Sequence, residues 1–132
     1  IDSTILIGSA NIFSYLTKDY TFGDPSVRKK VYKIYVTYSV NGTANVELSY
    51  RVDGGTTDNA FTGVQNYSSN TLANSSGAWA TAILKPTTSS TANNIRSFQL
   101  RVFTTNDSTS NVSDSDLKIN DITIVYRRKS VK

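Results

Sequence analysis

The chain is 132 residues long, which fits a single domain, and 47 of those residues are Ser, Thr or Asn. Cys, Met and His are absent, which excludes disulfides, zinc sites built on His or Cys, and Ser–His or Cys–His nucleophile pairs. The formal net charge is +4, yet eight of the 14 Lys and Arg fall in two clusters, Arg28, Lys29, Lys30 and Lys33, then Arg127, Arg128, Lys129 and Lys132, without which the body stands at −4.

In chain order, Thr4 to Ile7 and Ile12 to Leu16 read as short strands. Asp24-Pro25 marks a loop. From Val31 to Tyr38 the alternation puts Tyr32, Ile34, Val36 and Tyr38 on one face, expected to be the core face. Lys33, Tyr35 and Thr37 fall on the other. Asn41-Gly42 reads as a hairpin turn. Val46 to Val52 alternates without a fault, the pattern of a half-buried strand, and Asp53-Gly54-Gly55 ends it. The stretch 66–77 is polar and reads as a loop. Trp79 to Leu84 reads as a strand ended by Lys85-Pro86, and 87–94 is polar again. Phe98, Leu100 and Val102 face one way, with Gln99 and Arg101 opposite. After the polar stretch 104–116, Leu117 and Ile119 share a phase, and Ile122, Ile124 and Tyr126 share the other. The slip at Asn120-Asp121 predicts a β-bulge.

No helical period is present, and β-branched and aromatic residues favour strands. The expectation is one all-β domain over 1–132. Its architecture is an antiparallel β-sandwich, jelly-roll-like, with about seven to nine strands and a small closed barrel as the alternative. The chain opens on Ile1 rather than Met, which suggests a processed product or the visible part of a longer polypeptide. No apolar run approaches the roughly 20 residues that span a bilayer, and no membrane partner is expected.

Trp79 lies in Ala78-Trp79-Ala80-Thr81-Ala82, where one large ring among small residues reads as core filling between sheets. The alternative is a sugar-stacking platform shared with Tyr67, which falls in a polar loop and is expected to be exposed. Asp107, Asp114, Asp116 and Asp121 read as solvated loop residues, with calcium as the alternative. Their spacing lacks the bidentate Glu of an EF-hand. Nothing marks a catalytic carboxylate pair. No catalytic residue, metal ligand or cofactor is assigned, and enzyme activity is not expected. Nucleic acid is not an expected partner either, because Tyr32 and Tyr38 align with Ile34 and Val36 on the core face. The clustering of positive charge against an acidic body instead makes Arg28, Lys29, Lys30, Arg127, Arg128, Lys129 and Lys132 the subunit-contact candidates.

Several stretches carry a resemblance. They are Thr17 to Pro25, Val27 to Tyr38, Trp79 to Pro86, Ile95 to Leu100 and Ile119 to Lys132. Together they resemble recurring stretches in virion structural proteins of tailed bacteriophages, marine ones especially. The resemblance covers most of the chain from about residue 17. It implies a non-enzymatic virion domain, often the C-terminal part of a longer tail, neck or hub protein, assembled in the host cytoplasm. Such a domain docks on and stabilises neighbouring virion proteins in a homo-oligomeric or otherwise symmetric assembly. A capsid decoration protein is one alternative. A carbohydrate-binding module or host-surface adhesin, with Tyr67 and Trp79 stacking on a glycan, is the other.

Overall fold

The computed structural model describes residues 5–6, 14–40, 46–104 and 117–129. Ten strands run through them: β1 (Ile5–Leu6), β2 (Ser14–Leu16), β3 (Lys29–Val40), β4 (Val46–Val52), β5 (Asn59–Gln65), β6 (Tyr67–Ser68), β7 (Thr71–Leu72), β8 (Ala80–Pro86), β9 (Phe98–Thr104) and β10 (Leu117–Arg128). A single 3₁₀ turn spans Ser89–Ala92. Eight strands form one antiparallel sheet in the order β1-β10-β3-β8-β5-β4-β9-β2, and β6 and β7 form a small hairpin. The expected all-β, antiparallel class is therefore the one seen. The Asn41-Gly42 turn and Asp107, Asp114 and Asp116 lie outside the described residues.

The sheet curls on itself at β5. Asn59 and Ala60 pair with β4, whereas Phe61 to Gln65 pair with β8. One strand thus carries the sheet from the β4-β9-β2 wall to the β8-β3-β10 wall. The inward residues of both walls form a single cluster that includes Ile34, Val36, Tyr38, Leu48, Tyr50, Leu84, Phe98, Leu100 and Ile119. Tyr50 stacks on Phe98 at 5.3 Å and packs against Phe61 at 5.0 Å. Each such side chain contributes about 1.5–3 kcal/mol on burial, so this cluster dominates folding.

Two register slips between β3 and β10 decide which side chains leave the core. Ile119 opposes Tyr38 and Asp121 opposes Thr37, so Asn120 is the extra residue. That is the bulge the phase slip predicts. The second slip lies on β3: Val125 opposes Lys33 and Tyr126 opposes Val31, which leaves Tyr32 unpaired. Side chains alternate strictly along a strand, so one extra residue swaps the inward and outward sets beyond it. The inward row of β3 therefore runs Val40, Tyr38, Val36, Ile34 and then Val31 and Lys29. Tyr32, expected in the core with Ile34, is instead 40% exposed.

Candidate interaction face

The bulge at Tyr32 builds an outward surface on the β10-β3-β8 wall. Lys30, Tyr32, Lys33 and Tyr35 all point away from the core row. The Lys30 ammonium sits 5.0 Å from the Tyr32 ring centre, and that of Lys33 sits 5.2 Å from Tyr35. Arg127 of β10 is directly opposite Lys30. On β8, Leu84 opposes Ile34, so exposed Lys85 lies one step further on, beside Lys33. Four cations and two tyrosines thus share one patch. Along β10 the first acid on this side is Asp121, paired with Thr37 and well removed from Arg127.

The opposite wall treats its cations differently. Arg51 and Arg101 both bind Asp58, at 2.7 and 2.6 Å. Burial pushes the Asp58 carboxyl up, but the hydrogen bonds and charges of the two arginines outweigh it and hold the carboxyl below its ordinary value. Among the described residues, no ion pair engages Lys30, Lys33, Lys85 or Arg127. Like charges directly opposed on neighbouring strands destabilise a sheet, by roughly 0.2–1 kcal/mol. Lys30 facing Arg127 is such a pair.

The structure sorts the other contact candidates. Lys29 is fully buried and cannot touch a neighbouring subunit. The swap of phase at Tyr32 turns it inward. Its Nζ donates to the carbonyl oxygens of Thr21 at 2.6 Å, Arg96 at 2.9 Å and Asp24. Burial pushes the ammonium pKa down, with Asp24 and Asp53 acting against that shift. Arg28 donates to the Asn94 carbonyl at 2.9 Å, and Arg128 reaches the Phe22 carbonyl at 3.4 Å. Both therefore brace loops at that end of the sheet. Lys129 is half-buried and bonds through its backbone to Arg28, while Lys132 lies outside the described residues. The loops there enclose a cleft of about 460 Å³ lined by Asp19, Arg28, Asp53 and Arg96. Its carboxylates are already engaged. Asp53 accepts the backbone N–H groups of Arg96 and Ser97, and Asp19 accepts the Ser97 hydroxyl.

Both aromatic expectations reverse. Trp79 lies just before β8 and is 55% exposed. The buried phase of β8 is Ala82, Leu84 and Pro86, which puts 79 in the outward phase with 81 and 83. Tyr67, expected in an exposed loop, is 6% exposed. Its hydroxyl accepts from Leu48 N–H at 3.2 Å and donates to the Leu48 carbonyl at 3.4 Å, so its ring is not presented to a ligand.

Sequence reasoning found Lys30 and Arg127 from charge clustering. It missed Tyr32 as a surface residue and Lys85 altogether. Lys85 stands alone in the sequence and joins the patch only through strand pairing. Comparison with protein-family models, with curated proteins and with solved structures gives no match.

Proposed function

We propose that this chain is a non-catalytic docking domain that binds the acidic surface of a neighbouring protein through Lys30, Lys33, Lys85 and Arg127, with Tyr32 and Tyr35 supplying apolar contact. The resemblance supplies the setting, a tail, neck or hub of a phage virion. The observation that carries the reading is the directly opposed pair Lys30 and Arg127, which has no counter-ion among the described residues. A fold under selection for stability alone would place an acid at one of the two positions, as it does at Asp58 on the other wall. An acidic partner surface supplies the missing charge, and such complementarity steers association and fixes register.

Lys30→Glu separates docking from folding. Glu opposite Arg127 forms a cross-strand ion pair, so the variant unfolds later, by roughly 0.2–1 kcal/mol. Its affinity for an immobilised poly-glutamate surface falls about tenfold, the change that corresponds to roughly 1.4 kcal/mol. Lys33→Glu lowers the affinity similarly. Unchanged retention of both variants on poly-glutamate at physiological salt sinks the reading. So does tighter retention of the parent protein on single-stranded DNA than on poly-glutamate.

A further inference from the structure

Trp79 precedes β8 at the end of that strand opposite to Lys85 of the basic patch, and it is 55% exposed. We infer that Trp79, Gln65 and Asn66 form a binding site for a neutral oligosaccharide.

The ring is held out by a braced turn. Ser75 Oγ accepts from Val40 N–H at 2.9 Å and donates to the Val40 carbonyl at 3.1 Å, and Ala78 N–H bonds Ser75 at 3.1 Å. Ser76 and Gly77 take left-handed conformations, φ 54° and 82°, and Asn74 Oδ1 accepts Ser76 N–H at 2.9 Å. The flanking Gly77, Ala78 and Ala80 carry too little side chain to cover the indole. The result is a flat apolar surface on a support tied to the end of β3. Binding energy on such a platform is not spent on ordering the loop.

Two exposed amides are tied to the chain just beyond Trp79. Gln65 Nε2 and Asn66 Nδ2 both donate to the Thr81 carbonyl, at 3.0 and 2.9 Å. Thr81 is two residues beyond Trp79, roughly 7 Å along an extended chain. Anchoring both N–H ends on one carbonyl fixes the two side chains. Oε1 of Gln65 and Oδ1 of Asn66 have no partner among the described residues, so each is free to accept a hydroxyl. Val64, the extra residue of the β5 slip, is 59% exposed beside them.

A sugar ring matches this chemistry. Its C–H face packs on an indole, and its equatorial hydroxyls donate to fixed amide oxygens. Trp79, Thr81, Gln65, Asn66 and Val64 carry no charge, which selects an uncharged glycan over an acidic one. A platform with two acceptors suits a short stretch of chain.

Trp79 is the chain's one tryptophan, so its emission reports directly on the site. The probes are neutral oligosaccharides of glucose, galactose, mannose and N-acetylglucosamine. At least one produces a saturable shift in emission and protects the ring from a soluble quencher. Trp79→Ala abolishes retention of the protein on the matching polysaccharide in affinity electrophoresis, and Trp79→Phe keeps part of it. Gln65→Ala and Asn66→Ala each weaken binding roughly three- to tenfold, one hydrogen bond's worth. Lys30→Glu leaves sugar binding intact, so failure of the docking reading and failure of this one are separable. Emission unmoved by every probe overturns the inference. Retention of Trp79→Ala equal to that of the parent protein does so as well.

Discussion

Lys29 donates to three backbone carbonyls, two from the loop before β3 and one from the segment before β9. An ammonium has three N–H donors, so every one is used and three partly buried acceptors are satisfied at once. The two segments are also joined directly, Lys29 N–H to the Ile95 carbonyl at 2.7 Å and the reverse at 2.9 Å. Two terms compete when the charge is removed. Relief of the buried ammonium's desolvation stabilises, and the loss of partners for three carbonyls destabilises by about 1–3 kcal/mol each. The carbonyls outweigh the single ammonium. Lys29→Met, which keeps the stem, therefore lowers unfolding stability by about 2–4 kcal/mol in urea titration. A Met variant as stable as the parent protein means that the ammonium is not what closes this end of the sheet. A basic run in sequence thus holds residues of opposite fates. Lys30 is a surface cation, and Lys29 is an internal strut.

At the scale of the strand, period and phase carry the legible part. The sequences of β4 and β9 alternate strictly, those of the long β3 and β10 alternate on either side of a bulge, and the Asn120 bulge is visible because Ile119 and Ile122 disagree in phase. The bulge at Tyr32 is not visible in the same way. Tyr is apolar enough to continue the Ile34 and Val36 row, so the pattern reads through it. Only Val31 in the other phase hints at the swap. Trp79 was decidable by parity, because Ala82 and Leu84 point inward. The small residues around it suggest core filling and mislead. β5 escapes because its alternation is broken at Gly63 and Val64 and only Phe61 is buried. Gly63 is there because the β6-β7 hairpin folds onto it. A Cβ at that position meets the Tyr67 carbonyl oxygen at 1.6 Å. That neighbour is backbone, held by the Tyr67 hydroxyl on Leu48. Gly63→Ala therefore forces the hairpin off β5 and destabilises by about 1–3 kcal/mol, the usual cost of overpacking. Thermal unfolding of Gly63→Ala at the parent midpoint contradicts this packing.

Across the whole molecule, three buried tyrosines pin connections to the walls. Tyr38 donates to the Ala73 carbonyl at 2.8 Å, Tyr50 bonds Thr91 in the 3₁₀ turn, and Tyr67 bonds Leu48. Burial pushes all three phenols up, Tyr67 to about 12 from 10.0. A group whose folded pKa is raised gives stability that is complete below its unfolded value and is lost as pH climbs to the folded one. For these tyrosines the loss begins near pH 10, and for Tyr67 it runs to about 12. Lys29 acts in the other sense. Its folded pKa is lowered from 10.5, so its contribution is present above 10.5 and lost as pH falls through the folded value. Three phenols oppose one amine, and stability falls with alkali above pH 10. The phenolate absorbance of the native protein then lags that of the unfolded chain, because Tyr38, Tyr50 and Tyr67 keep their protons to higher pH. In Lys29→Met the compensating amine is gone, and the loss of stability between pH 10 and 10.5 is steeper. Superimposable native and unfolded titrations mean that the three phenols are not buried in the folded protein.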